Sequence, residues 1–300
     1  MEERRRIGAY GVCRDREGRV LLVRGSARAD FPGAWQLPGG GLDHAEHPEA
    51  AAVREFAEET GLAVEVTGLR AAVADVTRYP DRGVALHTDR IIFDVTPTGG
   101  TLRDEADETT DLARWWTPAE TAGLPLLPFT AELLGLPVTP LPARTAREPF
   151  GPTSTDRRQR FAAYGLVTDP AGRVLLTMIA DGYPGAGKWH LPGGGTDHGE
   201  QPAAGLLREL VEEAGQLGRV VDLLAVDNLH NPAALGPEGR PLDWHGVRVI
   251  YRVLVDAPTE AVVTELAGGS TARAAWFAQE QVSALRMTDV TVLATGRPGR

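Results

Sequence analysis

The sequence predicts two tandem α/β domains, each a small sandwich of strands and helices rather than a doubly wound parallel sheet. Three observations predict it. The chain repeats itself at a fixed offset, each copy mixes several β-type runs with one strong amphipathic helix, and a proline-rich stretch lies between the copies. A length of 300 residues suits two domains of about 100–200 residues each.

The repeat is explicit. Tyr10-Gly11-Val12 returns as Tyr164-Gly165-Leu166, and Trp35-Gln36-Leu37-Pro38-Gly39-Gly40-Gly41 returns as Trp189-His190-Leu191-Pro192-Gly193-Gly194-Gly195. The offset is 154 in both blocks (164 − 10 and 189 − 35). Arg90-Ile91-Ile92-Phe93 then matches Arg248-Val249-Ile250-Tyr251 at 158, so the second copy holds extra residues in the preceding loop. Prolines at 137, 140, 142, 149 and 152 interrupt both helix and central strand. The expected organisation is a domain over 1–145, a linker over 146–159 and a second domain over 160–300.

Within the first copy, β-type runs fall at 7–13, 19–24, 63–76, 89–95 and 112–116, with counterparts at 161–167, 173–178, 218–226, 246–255 and 273–277. The strong helix spans about 47–60, and again 201–214. It opens on Pro48, suited to a first turn, and stops at Gly61, suited to the position just past a helix. A weaker helical stretch follows at 117–135, and again at 278–285.

Composition excludes several classes. Lys and Arg number 31 against 41 Asp and Glu, a net charge of −10. That balance disfavours a nucleic-acid polymer as partner, because a phosphate backbone is bound by clustered cations. A single cysteine, Cys13, allows no intrachain disulfide and fits a reducing cytoplasm. No apolar run reaches the roughly 18 residues of a membrane helix, and the segment from Ile7 to Cys13 is too short for a signal peptide.

The chemistry is written on the strong helix. At about 100° per residue, Val53, Phe56, Ala57 and Thr60 fall on one face and Glu55, Glu58 and Glu59 on the other. The second copy sets Leu207, Leu210, Val211 and Ala214 against Glu209, Glu212 and Glu213. Like charges three and four residues apart weaken a helix by roughly 0.2–0.5 kcal/mol per pair. A solvated acidic face would explain one such cluster. Two clusters, each preceded by a glycine-rich loop and a further acid, Glu46 or Glu200, point to converging oxygen ligands for Mg²⁺ or Mn²⁺.

The pattern resembles the Nudix family. Its 23-residue box runs from Gly through five residues to Glu, then seven to Arg-Glu, a bulky aliphatic, one residue, Glu-Glu, one residue, Gly and a bulky aliphatic. The first copy supplies Gly40, Glu46, Arg54, Glu55, Phe56, Glu58, Glu59, Gly61 and Leu62. The second supplies Gly194, Glu200, Arg208, Glu209, Leu210, Glu212, Glu213, Gly215 and Gln216. Phe56 and Gln216 depart from aliphatic packing positions. Ala45 stands where many members, and this chain at Gly199, have glycine.

The resemblance implies an α/β/α sandwich with a mixed sheet in each copy, and Mg²⁺-dependent hydrolysis of a small diphosphate-containing molecule, nucleoside-linked or an oxidised nucleotide. It implies Glu55, Glu58 and Glu59 with the Gly39 carbonyl as metal ligands, and Glu209, Glu212 and Glu213 with Gly193 in the second copy. Arg54 and Arg208 would orient the acids. The water's proton would go to a helix carboxylate or to a later acid, Glu105, Glu108 or Glu265. Arg90 and Arg248, with His87 and His245 three residues earlier, are candidates for reaching phosphate or ribose. Trp35 and Trp189 read as packing residues more than as base platforms, and one of the adjacent Trp115 and Trp116 belongs in the core. Loops 79–88 and 228–245 would set specificity, and their differences leave room for two substrates. A non-nucleotide diphosphate, an asymmetric protein with one catalytic and one ligand-binding copy, and a ligand sensor are the competing readings. The duplication resembles the pairing that some single-domain relatives achieve as dimers, so a homodimer stays open.

Overall fold

The computed structural model describes residues 1–104, 109–144, 156–235, 240–264 and 269–296. Contacts divide the chain into two compact units, Met1–Arg157 and Arg158–Arg300.

In the first unit the chain runs β1 (Glu2–Cys13), β2 (Val20–Gly25), β3 (Trp35–Gln36), β4 (Gly39–Gly41), α1 (Pro48–Thr60), β5 (Leu62–Tyr79), β6 (Val84–Gly100), β7 (Thr110–Trp116), α2 (Pro118–Thr121) and α3 (Pro128–Leu133). A four-stranded sheet has the order β4-β1-β6-β5, and a three-stranded sheet the order β3-β2-β7. The larger sheet is mixed: β1 runs parallel to β6, with Gly8 beside Arg90 and Tyr10 beside Ile92, while β1–β4 and β5–β6 are antiparallel.

The second unit repeats the plan as β8 (Arg157–Thr168), β9 (Val174–Ile179), β10 (Trp189–His190), β11 (Gly193–Gly195), α4 (Pro202–Ala214), β12 (Arg219–Leu235), β13 (Pro241–Leu254), β14 (Thr271–Phe277), α5 (Gln279–Val282) and α6 (Asp289–Ala294). Here the two sheets join, because β8 and β9 pair at Val167–Leu175 and Thr168–Val174. The first copy has only the single bridge Arg14–Val20 at that place.

Three expectations need correction. The second copy's first strand starts at Arg157, so residues 157–159 are sheet and not linker. The stretch 79–88 is mostly strand, with β5 and β6 continuing to a tight tip at Pro80–Gly83, and β12 and β13 take up residues 228–235 and 241–245; residues 236–239 lie outside the described residues. Backbone pairing carries each ladder past the point where the apolar runs stop. The buried face of α1 is also rotated from the expected one. It holds Ala52, Phe56, Glu59 and Thr60, whereas Ala57 is exposed; in α4, Glu213 is buried and Val211 is exposed.

The two departures from the box are absorbed by packing. A Cβ on Gly11 would meet the Phe56 ring at 2.4 Å, so glycine at that point of β1 makes room for the larger side chain. Gln216 is buried with its amide satisfied: Nε2 donates to the Ala214 carbonyl, Thr259 Oγ1 and the Glu260 carbonyl, and Oε1 accepts from the Thr259 N–H at 3.1 Å.

On the α1 side of β6 lies a buried polar group. Arg5 Nε donates to Asp89 Oδ2 at 2.7 Å, and His87 Nε2 lies 3.1 Å from Asp89 Oδ1. The second copy replaces the ion pair with amides: Gln159 bonds His245 Nδ1 at 3.0 Å, His245 Nε2 bonds Asn228 Oδ1 at 2.6 Å, and Val247 replaces Asp89. Adjacent strand residues point to opposite faces, so His87 and His245 lie on the opposite side of the sheet from Arg90 and Arg248. No helix among the described residues is long and apolar enough to cross a membrane.

Candidate functional site

Helix α1 starts cleanly because His47 Nδ1 accepts the Glu49 N–H at 3.2 Å and Pro48 fills the first turn. It stops at Gly61, whose φ of 71° is left-handed and whose N–H bonds the Ala57 carbonyl. Between these ends Arg54 organises the acids. Its Nε and Nη2 clamp both oxygens of Glu46 at 2.9 Å, Nη1 reaches Glu55 Oε1 at 2.9 Å and Glu58 Oε2 at 3.0 Å, and Nη2 also bonds the Gly41 carbonyl at 3.1 Å. Glu46 is itself fixed by the Asp43 N–H at 2.9 Å. The fork geometry of guanidinium suits this many-oxygen contact; an ammonium could not reproduce it.

The second copy reproduces the network. Arg208 clamps Glu200 at 3.0 and 3.1 Å, reaches Glu209 at 3.0 Å and Glu212 at 3.2 Å, and bonds the Gly195 carbonyl at 3.3 Å. The Asp197 N–H bonds Glu200 at 2.8 Å.

The third acid behaves differently. Glu59 and Glu213 turn inward and accept the N–H groups of Gly39 and Gly193, each at 2.8 Å. Thr271 Oγ1 donates to the other Glu213 oxygen. These bonds tie helix to glycine strand. Gly39 and Gly193, with φ of 140° and 129°, pass so close to β1 and β8 that a Cβ would stand 2.3 Å from the carbonyl of Ala9 or Ala163. Gly40 and Gly194 lie under the Glu55 and Glu209 carboxylates, where a Cβ would come within 2.5 and 2.8 Å of an oxygen. The glycine run is therefore the floor on which the acids rest.

Exposure divides the acids by role. The side chains of Glu46 and Glu55 are 14% and 15% exposed, that of Glu58 is 51% exposed, and that of Arg54 is 29% exposed. Burial pushes the Glu55 carboxyl above its ordinary range, with Glu58 adding to the push and Arg54 opposing it. Hydrogen bonds to Glu46 and Glu55 hold the Arg54 guanidinium firmly protonated.

The structure thus brings Glu46, Arg54, Glu55 and Glu58 into one network, with Glu59 joined through Gly39, and does the same with Glu200, Arg208, Glu209, Glu212, Glu213 and Gly193. Arg90 and Arg248 are not free arms on a sheet edge. Arg90 Nη1 bonds Asp75 Oδ2 at 2.5 Å, and Arg248 pairs with Asp227. Trp35 and Trp189 are core residues, stacked edge-on against Trp116 and Phe277 at 4.9 and 4.7 Å. Glu105, Glu108 and Glu265 lie outside the described residues. Sequence reasoning missed Tyr10 and Tyr164 as site neighbours, although both stand at the head of the repeated block. A Cβ on Gly8 would sit 2.8 Å from the Gly40 carbonyl and 3.3 Å from the Tyr10 hydroxyl, which puts that hydroxyl beside the glycine floor. Asp75 and Asp227 carried no local signal.

A family model described as the NUDIX domain matches residues 4–134 and again 158–294. The chain is 36% identical over 116 residues to a MutT-like protein of Streptomyces ambofaciens, a match spanning 39% of this chain and 66% of that protein. It is 34% identical over 86 residues to the 8-oxo-dGTP diphosphatase of Proteus vulgaris, covering 29% and 75% respectively. It is 35% identical over 96 residues to the ADP-ribose pyrophosphatase of Methanocaldococcus jannaschii, covering 31% and 54%. Nudix hydrolase 25 of Arabidopsis thaliana is matched over only 29% of its length. Among solved structures, a MutT NUDIX hydrolase from Burkholderia pseudomallei shares 27% identity with a TM-score of 0.37, over 44% of this chain and 97% of that one.

Proposed function

The chain belongs to the Nudix family and carries its domain twice, and from that premise we propose that each copy hydrolyses the diphosphate linkage of a small nucleoside-linked or oxidised-nucleotide substrate, with Mg²⁺ held at its carboxylate helix. The Arg54 and Arg208 networks carry this reading. Each holds a half-buried glutamate above a glycine floor that admits no side chain, beside a second glutamate open to solvent. All the donors are oxygens, which suits a hard divalent cation, and Mn²⁺ would fit the same set.

Glu55 and Glu58, with Glu59 and the Gly39 carbonyl, would hold the ion in the first copy; Glu209, Glu212, Glu213 and the Gly193 carbonyl would hold it in the second. When bound, the cation supplies charge neutralisation at the diphosphate oxygens and Lewis acidity toward water. The protein's own part is positional. Glu46 and Glu200 lock the arginines, the arginines fix the direction of the outer acids, and Glu59 and Glu213 keep helix and glycine strand in register. Glu58 and Glu212, the acids open to solvent, are the groups placed to accept a proton.

Separate Glu58→Gln and Glu212→Gln variants of the full chain test this. Each single variant should retain part of the Mg²⁺-dependent release of nucleoside monophosphate or pyrophosphate from a nucleotide panel, and the double variant should retain none. Two independent sites would be excluded if either single change abolished all turnover. Inactivity of the unaltered chain on the whole panel would remove the hydrolase reading.

A further inference from the structure

Beyond the carboxylates, β1 and β6 in the first copy and β8 and β13 in the second carry a further set of polar groups, on the sheet face that holds Tyr10 and Arg90, and there the copies diverge. In both, a tyrosine adjoins the glycine floor and an arginine follows it, held by an aspartate on the neighbouring strand: Tyr10, Arg90 and Asp75, then Tyr164, Arg248 and Asp227. Tyr164 lies close enough to feel both Arg248 and the acids Glu209 and Glu213. Each arginine retains a buried Nε without a hydrogen-bond partner among the described residues.

The wall facing these groups differs. The first copy covers its arginine with a ring: Arg90 lies 4.3 Å from the Phe129 centroid, and Tyr10 packs on Phe129 at 5.0 Å. Backbone bonds fix the correspondence between copies, since Trp35 accepts from the Leu127 N–H as Trp189 does from Thr288. Leu127 is therefore replaced by Thr288 and Phe129 by Val290. Among the described residues no ring lies over Arg248, whose side chain is 18% exposed against 10% for Arg90.

Gln36 is replaced by His190, which meets Tyr164 edge-on at 4.8 Å and 72°. His190 Nδ1 bonds Thr288 Oγ1 at 2.6 Å, and Thr288 is braced by Thr291 at 2.9 Å. Among the described residues Nε2 makes no hydrogen bond. The imidazole is thus oriented by one nitrogen and offers the other. Burial, helped by Arg248, holds its pKa down to about 4, so the ring is neutral at neutral pH.

We propose that the two sites select different substrates, and that His190, positioned by Thr288, is the specificity-determining residue of the second: it hydrogen-bonds a hydroxyl on the group beyond the diphosphate, so that copy two takes a nucleoside diphosphate joined to a hydroxyl-rich sugar. The first copy, walled by Phe129 and Leu127, lacks that oriented partner and takes a nucleotide whose remaining contact is a flat base. This rests on the diphosphate reading above for its chemistry, but the divergence of the walls is independent of turnover.

The test uses the full chain with ADP-ribose as the hydroxyl-rich probe and 8-oxo-dGTP as the flat one. Glu58→Gln leaves copy two to be read alone, and Glu212→Gln leaves copy one. In the Glu58→Gln background, His190→Phe should lower kcat/KM for ADP-ribose about tenfold while changing 8-oxo-dGTP less than threefold, the loss expected when a hydroxyl loses its only partner. Thr288→Val, which frees the ring without removing it, should raise KM for ADP-ribose and leave kcat near its starting value. Thermal melting checks that both variants fold. Calorimetric binding of ADP-ribose to the same variants separates the two claims. If nothing is hydrolysed but His190→Phe weakens binding tenfold, the hydrolase reading fails and the specificity assignment stands. If both sites turn over and His190→Phe affects both probes alike, or neither, the assignment is overturned and the hydrolase reading stands. Absence of both turnover and binding overturns both.

Discussion

Replacing Arg54 by alanine is the sharpest probe of the carboxylate network. The change removes five hydrogen bonds, four of them to carboxylates and one to the Gly41 carbonyl. Removing one partner of a well-buried ion pair costs roughly 3–5 kcal/mol, because the other charge is left uncompensated. Glu46 and Glu55 are nearly that sheltered, whereas the exposed half of Glu58 is repaid by water. Discounting for the partial exposure of Arg54 leaves about 2–4 kcal/mol. For a domain of this size each kcal/mol moves Tm by roughly 2–4 °C, so differential scanning calorimetry should show one transition lowered by about 5–15 °C. The second copy, with Arg208 intact, serves as the internal reference. Added Mg²⁺ should recover part of the loss, since a cation can replace the missing charge, and Arg54→Lys should recover only part because it cannot fork. A shift under about 1 °C would mean that Arg54 is an ordinary surface arginine, and the organising role given to it would be wrong.

Two further outcomes follow from the same geometry. Glu55 has its pKa raised by burial, so its contribution to stability is present below the ordinary carboxylate value of 4.5 and is lost as pH rises through the higher folded value. Glu55→Gln should therefore raise Tm of the metal-free protein at pH 7–8 and leave it unchanged near pH 3, while removing turnover from the first site; a lowered Tm at pH 7–8 would contradict the burial argument. Ala45 sits at φ 71°, a left-handed conformation that costs an L-residue roughly 1–2 kcal/mol, where the second copy has Gly199 at φ 86°. Ala45→Gly should stabilise the first domain by about 0.5–1 kcal/mol after the extra chain entropy of glycine is subtracted, seen as a small rise in the chemical-denaturation midpoint, and Gly199→Ala should move the second domain the other way.

Helix ends, repeated strands and carboxylate spacing were legible in the sequence because each is local: Pro48 and Gly61 mark a helix whatever surrounds it. What escaped was anything set by a neighbouring strand. The rotation of α1 that buries Glu59 follows from the Gly39 N–H, twenty residues away, and no wheel drawn from the helix alone contains that donor. The partners of Arg90 were hidden for the same reason. Asp75 depends on the β5–β6 register, which includes bulges that periodicity does not reveal, and Phe129 comes from a short helix after the last strand. The ends of β5 and β12 were placed too early because both continue as strands through polar residues that read as loop. Ala45 is the converse case: the sequence marked it as an exception, and the backbone kept the turn anyway.

The Arg5–Asp89 pair, with its carboxylate fully buried, has a consequence for how a duplicated chain is made. β1 must wait for β6, some eighty residues later, before it has a parallel neighbour, and a chain with two similar halves offers it a second candidate in β13. Tandem domains of related sequence are prone to such misassembly. If β1 were laid against β13, Arg5 would find Val247 where Asp89 should be and lose its counterion; Gln159 set beside β6 would leave the fully buried Asp89 with His87 but without its guanidinium. The charge that distinguishes the halves acts as a proofreading mark, making the wrong strand exchange expensive while the nascent protein is still choosing its partners.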